Sequence, residues 1–305
     1  MVSPAAYAAC CWLVLLTATS ILLTALNIYY LNLLIWPMLF HGGHELLHLS
    51  LFSRRRTGVR VRYQPAELLG VLVYALFGHH YYILRDSHLQ HHVAGRLPIP
   101  AGLIDHRHET YTFAHRVEYF ASLVGLNYWA YVFAGPLFLL SPWAFRRAFF
   151  RPKVRRDIVF VGTQVIVFAW AALVIFHIDF LDIILTHLVF SVYWGLIQNS
   201  AHYSLPVGEI NARYAARSYS VPRWLKFVFF GSPFLHLEHH VFPRLPSSDL
   251  DSDEVRRLVC AKLGIEGYPR RSLADFMRDL IYQLATPLPV IDRTWQEVPN
   301  PKKLP

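Results

Sequence analysis

The chain has 305 residues, of which 54% are hydrophobic, and its mean hydropathy is +0.31. Soluble domains carry about 45–50% apolar residues, so both the share and its arrangement in long runs exclude an ordinary soluble domain and indicate a membrane protein. The net charge of +9 comes from basic residues that flank apolar runs instead of lining a polar face, which argues against a nucleic-acid partner and for cytoplasmic anchoring.

The first 53 residues hold no Lys or Arg, so the N-terminus lacks the basic start of a cleaved leader and reads as a retained span. Residues 5–50 are nearly all apolar, about twice the ~20 that one helix needs to cross the hydrocarbon core. They predict a helical hairpin that turns near 24–27, its second helix running through Trp36 to His41, His44 and His48. Arg54, Arg55, Arg56, Arg60 and Arg62 follow, and they place this end in the cytoplasm. Residues 67–84 are apolar and aromatic but short, and read as interfacial or partly inserted. Residues 93–116 read as a polar loop.

Residues 117–140 are apolar again, interrupted by Gly135 and Pro136. They lead into a second basic cluster, Arg146, Arg147, Arg151, Lys153, Arg155 and Arg156. With this cluster cytoplasmic like the first, both ends of the stretch lie on one side, and it is expected to be re-entrant or to lie flat, being too short for two crossings. Residues 158–198 predict a second hairpin. Asp179 and Asp182 mark its non-cytoplasmic turn, because a charge at the bilayer centre costs about 2.5–3.5 kcal/mol on insertion scales.

Beyond it, 251–263 reads as a helix closed by Gly264, and 272–284 as another, with Ser272 and Asp275 resembling a capping box. The tail 286–305 is Pro-rich and reads as extended or disordered. The expectation is an all-α integral membrane fold in one domain, residues 1–285. It comprises two transmembrane hairpins (5–50 and 158–198), re-entrant or interfacial helices, and a cytoplasmic helical cap from 51–116 and 199–285. Cys10, Cys11 and Cys260 form no CxxC and no even framework, so no disulfide scaffold or thiolate site is expected.

Histidine spacing carries the chemistry. Residues three and four apart share a helix face, so His44 and His48 converge, as do His88, His91 and His92, and His236, His239 and His240. With 17 histidines in 305 residues, chance would place roughly 0.05 HxxHH motifs in the chain, and two are present. Under the hairpin topology all three boxes and His202 meet on the cytoplasmic side. Nine imidazoles exceed what one metal takes, and two metals are the simplest count. An all-nitrogen shell suits iron or zinc, not magnesium or calcium. Single histidines on interfacial faces (His41, His79, His80, His106, His108, His115, His177 and His187) read as hydrogen-bonded structural groups. Glu45 and Glu238 are open between solvated helix charges and partners that orient a histidine. Phe229, Phe230 and Phe234 read as membrane-interface packing.

The runs His44-Glu-Leu-Leu-His48, His88-Leu-Gln-His91-His92 and His236-Leu-Glu-His239-His240-Val-Phe-Pro resemble the three boxes of the membrane fatty acid desaturase family. The likeness extends over roughly residues 30–250. It implies a di-iron, O2-dependent lipid oxidoreductase with His44, His48, His88, His91, His92, His202, His236, His239 and His240 as iron ligands. The resemblance places Asn199, through a water, beside His202, although the Asn199-to-His202 spacing is one residue shorter than in the acyl-CoA desaturases. No HPGG motif of a fused cytochrome b5 is present, so electrons are expected from an external donor of ferredoxin, rubredoxin or cytochrome b5 type. The implied activity is desaturation of a fatty acyl chain, with lipid, alkane or carotenoid hydroxylation or ketolation as the second reading. Two rivals fit fewer residues. HELLH at 44–48 matches a zinc protease motif with Glu45 as base but leaves two boxes idle, and a metal transporter would place ligands near the bilayer midplane.

Overall fold

The computed structural model describes residues 4–48, 64–94, 117, 120–140, 158–201 and 216–285. Both basic clusters, His106, His108, His115, His202 and the Pro-rich tail lie outside them. Helix α1 (Pro4–Ala25) carries no charged residue. Its hydroxyls turn back on the helix: Thr17 Oγ1 donates to Leu13 O at 2.7 Å and Thr24 Oγ1 to Ser20 O at 3.0 Å. Polar side chains in such a helix are thus satisfied without water.

The chain breaks where the sequence predicts it, at Asn27 (φ 58°), and restarts through a short 3-10 turn, Tyr29–Leu31, into α2 (Asn32–His48). Ser20 Oγ donates to Asn32 Oδ1 at 2.6 Å and Trp36 Nε1 to Ser20 Oγ at 3.2 Å, a polar pin of the kind that joins helices in an apolar medium. Further along, a Cβ added to Gly42 would lie 2.6 Å from Leu13 Cδ1 and 2.8 Å from Phe230. Only glycine permits α1 and Phe230 to approach α2 this closely, two residues before the first box.

Helices α3 (Gln64–Leu76) and α4 (Tyr81–Ala94) meet at a 104° bend. Backbone left unpaired by such a bend needs partners. Tyr128 Oη donates to Phe77 O at 3.0 Å, and the rings of His79 and His80 lie 3.2 Å and 3.1 Å from the carbonyls of Tyr128 and Phe160. Then come α5 (Leu126–Leu140), α6 (Ile158–His177) and α7 (Phe180–Ser200). The break between α6 and α7 falls at Asp179, whose carboxylate accepts from Leu181 N at 2.8 Å, as the acidic turn of the sequence implies.

Tyr7–Ala25, Val159–His177 and Phe180–Gln198 are long and apolar enough to cross a membrane, and the bent α3–α4 pair adds a fourth if it forms one span. Helix α2 has 17 residues and spends its end on polar histidines. The outward faces of the three are apolar, with Val14, Leu22, Val165, Phe168, Phe176 and Leu185 all exposed, the surface that lipid would cover. Inside, Trp36 is packed edge-on by Tyr29, Phe77, His187 and Phe190 at centroid distances of 4.9–5.6 Å.

The C-terminal part contains β1 (Ser218–Ser220), α8 (Arg223–Val228), α9 (His236–Val241), α10 (Ser247–Leu250), α11 (Asp253–Leu263), β2 (Arg270–Ser272) and α12 (Leu273–Ala285). The two strands pair in parallel with Ser218 opposite Arg270, a small addition to a mostly helical fold that agrees with the all-α expectation. Three-residue strands leave no alternating stretch long enough to recognise beforehand. The two helices expected here are present. Gly264 closes α11 in the left-handed region at φ 67°, and at α12 Ser272 N donates to Asp275 Oδ2 while Asp275 N donates to Ser272 Oγ, the reciprocal capping box. Ala216, Leu235, Leu237, Val241, Val255, Val259 and Tyr268 form a separate apolar core beneath α9. Phe234 packs on Tyr219 and Phe276 in this part of the molecule. Phe230 is buried against α2 and lines a cavity of about 360 Å³.

Candidate metal centre

Three helices bring the boxes together, and each is fixed at the point where its histidines emerge. The last carbonyls of α2 have no partner within the helix. Helix α4 supplies two: Tyr81 Oη donates to Leu46 O at 2.9 Å and Arg85 Nε to Leu47 O at 3.0 Å. A guanidinium beside a helix C-terminus also suits the dipole there. These contacts set α4 against α2 so that His88 and His92 face His44 and His48. The third helix, α9, approaches from the C-terminal part, and Ser232, shortly before it, has Oγ 3.2 Å from His44 Nδ1.

His44, His48, His88, His92 and His239 present ligand atoms that all lie within 4.8 Å of one another. Imidazole nitrogens bound about 2.0–2.1 Å from one metal sit roughly 3–4 Å apart, so the grouping is on the scale of a single ion's shell. Within it, Nε2 of His88 lies 2.7 Å from Nε2 of His48 and 3.1 Å from Nε2 of His92, which in turn is 3.1 Å from Nε2 of His239. A ring nitrogen carries a hydrogen or a lone pair, never both. Three contacts in a row therefore force one lone pair to serve two hydrogens, or one hydrogen two lone pairs. A cation among them would use every lone pair at once. The donor set is all imidazole nitrogen, which fits iron or zinc and not magnesium or calcium. Burial first, then the imidazoles of His44, His48, His92 and His236, push the His239 pKa well below its ordinary value. The ring is then neutral at neutral pH, the form that can ligate.

Box 3 divides. His239 joins the group of five, whereas His236 and His240 turn to each other, Nε2 to Nε2 at 3.1 Å. The sequence expectation aimed all three at one site. Successive helical residues diverge by about 100°, so the i, i+4 pair stays together and His239 leaves it. His240 remains adjacent to the larger group, with its ring centroid 4.4 Å from that of His92. His202 lies outside the described residues, as do the side chains of His91 and Asn199.

Neither box glutamate is a solvated charge. Glu45 is buried and accepts from Ser247 N at 3.2 Å and from Ser247 Oγ. A carboxylate committed to α10 in this way does not suit the role of a protease base. Glu238 is buried too, and accepts from Tyr268 Oη at 2.7 Å, Arg270 Nε at 2.9 Å and Ser218 Oγ. Burial, the largest single influence, opposes the charge on Arg270, but Glu238 together with Tyr268 and Asp251 holds the guanidinium pKa above its ordinary value. Sequence reasoning missed Ser218, Ser232, Tyr268 and Arg270. Ser218, Tyr268 and Arg270 lie far from any box, and Ser232, four residues before His236, precedes the helix, so no helical spacing marks them.

The single histidines take other partners. His41 pairs with Tyr193 Oη at 2.8 Å, His187 lies between the hydroxyls of Tyr29 and Tyr128, and His177 lies 3.3 Å from Ala25 O.

No curated protein matches the chain. The family model described as Fatty acid desaturase matches residues 11–265, a stretch that takes in all three boxes, most of α1 and the whole of α2 to α7. Most of the chain being so covered, the protein belongs to the fatty acid desaturase family.

Proposed function

We propose that the protein is an O2-dependent di-iron oxidoreductase of lipids and, within that class, a fatty acyl desaturase. The observation that carries this reading is the grouping of five buried or half-buried imidazoles from three distant helices around one point. Family membership supports iron over zinc. In this reading His44, His48, His88, His92 and His239 hold one iron. His236 and His240 contribute to the other, with His91, His202 and, through a water, Asn199 completing the set. Two hairpins, a re-entrant 117–140 segment and a cytoplasmic cap would place both ions beside the inner leaflet, within reach of acyl chains and of a soluble electron donor.

Bound iron supplies the activation of O2 that an unactivated C–H bond requires. The chain's own residues keep the ligand rings neutral, surround them with apolar groups and exclude bulk water. In the overall reaction two adjacent methylenes lose two hydrogens. One O2 becomes two waters, with two electrons drawn from an external donor of ferredoxin, rubredoxin or cytochrome b5 type and two protons from water. Hydroxylation consumes the same O2 and electrons, so only the product separates the two outcomes.

Metal analysis of the purified protein is expected to give two irons per chain. One zinc would favour a protease, and weak exchangeable metal a carrier. Mass spectrometry of lipids from an expressing host, with double-bond localisation, is expected to show a new alkene. A hydroxylated or ketone product without an alkene would displace desaturation as the activity.

A further inference from the structure

The side chain of Glu238 has 0% exposure, and it sits inside box 3 between the candidate ligands His236 and His239. A buried carboxylate is tolerated only with partners, and among the described residues Glu238 finds them outside α9. Tyr268 Oη donates at 2.7 Å and Arg270 Nε at 2.9 Å; Ser218 Oγ donates as well, and Arg270 Nη2 makes an ion-pair contact at 2.8 Å outside hydrogen-bond geometry. Ser218 and Arg270 are opposite each other in the β1–β2 ladder, so strand pairing delivers both side chains to one carboxylate. The same Ser218 Oγ accepts from Leu237 N at 3.1 Å, at the start of a helix that has no side-chain cap of its own. Six residues cannot hold a helix in place by themselves. Arg270 is braced in turn, Nη1 donating to Asp251 Oδ1 at 2.7 Å. Both Tyr268 and Arg270 lie beyond residue 265, where the family match ends.

We infer that Tyr268 and Arg270, both outside the family match, are working parts of this protein's metal centre. Tyr268 and Arg270 act as positioning residues that grip Glu238 and so set where α9 presents His239 to His92 and His236 to His240. The inference rests on the di-iron reading, and it adds residues that the boxes do not contain.

The test uses the full-length purified protein, loaded anaerobically with Fe(II) in competition with a chelator and followed by metal content and Mössbauer spectrum. Arg270→Gln is expected to weaken iron binding about 10–100-fold, the usual effect of removing a group that orients ligands, and to change the spectrum. Tyr268→Phe should do so less, and serves if Arg270→Gln does not fold. Arg271→Gln, whose guanidinium lies 3.5 Å from Asp279 on α12, should leave both readouts unchanged. Glu238→Gln combined with Arg270→Gln removes the stranded buried charge and should bind iron more tightly than Arg270→Gln alone. Wild-type affinity and spectrum in both Arg270→Gln and Tyr268→Phe would overturn the inference, as would equal iron loss in Arg271→Gln. A wild-type protein that takes no iron would overturn the di-iron reading itself, and this inference with it.

Discussion

Two groups of buried histidines share this molecule, and they differ in what their nitrogens face. In the apolar core, His187 Nε2 lies 2.9 Å from Tyr29 Oη, and its Nδ1 contacts Tyr128 Oη, whose own hydrogen goes to Phe77 O. The proton arrangement follows: Nδ1 carries the hydrogen and Nε2 accepts from Tyr29. Each polar atom of this set has a partner of opposite kind. In the box cluster, nitrogen meets nitrogen across His48, His88, His92 and His239, a pattern that no distribution of hydrogens satisfies without sharing. The imidazoles of both groups are buried or half-buried. The chemistry of the facing atom separates a structural histidine from a candidate ligand.

The contrast breaks most sharply at His239. His239→Ala is expected to lose iron and all turnover while the protein still inserts in the membrane, measured as metal per chain and product formed. Full metal and activity would remove that residue from the site. In the other group, Tyr128→Phe strands His187 Nδ1 and Phe77 O in an apolar setting. A buried group left without its partner costs about 1–3 kcal/mol, so thermal unfolding in detergent should shift down by that amount while iron content stays unchanged. Iron loss in Tyr128→Phe would erase the distinction between the groups.

Acid sharpens the comparison further. The folded pKa of His239 lies well below 6.5, the value in an unfolded chain. Between the two, the unfolded state binds more protons, so the stability of the metal-free protein is complete above about pH 6.5 and falls as the pH drops below it. The slope approaches about 1.4 kcal/mol per pH unit for each such proton. Bound metal should be released over the same range, because protons compete for the same lone pairs. Iron content that does not change on acidification would count against histidine ligation. The smallest effect is expected at Ser272→Ala, which opens the capping box of α12. It should lower the melting temperature slightly and leave iron unchanged, since neither group of histidines rests on that cap.

Much of the local structure was legible beforehand because it depends on neighbours in sequence. The break near Asn27, the acidic turn at Asp179, the helix ending at Gly264 and the Ser272–Asp275 box each follow from a few adjacent residues. The two-stranded pairing of Ser218–Ser220 with Arg270–Ser272 was not legible, since its register is set by docking across some 50 residues.

For the site itself, the sequence alone determined which imidazoles could share a helix face, because 3.6 residues per turn is a property of the backbone and needs no tertiary context. Tertiary structure decided the rest. It divided box 3 between two groups, pointed Glu45 at Ser247, and joined Glu238 to a strand that begins 32 residues further along the chain. The physical reason is that a buried carboxylate or imidazole is satisfied by whatever group packing brings within 3 Å of it. Packing obeys the burial of apolar faces, which no spacing of polar residues encodes.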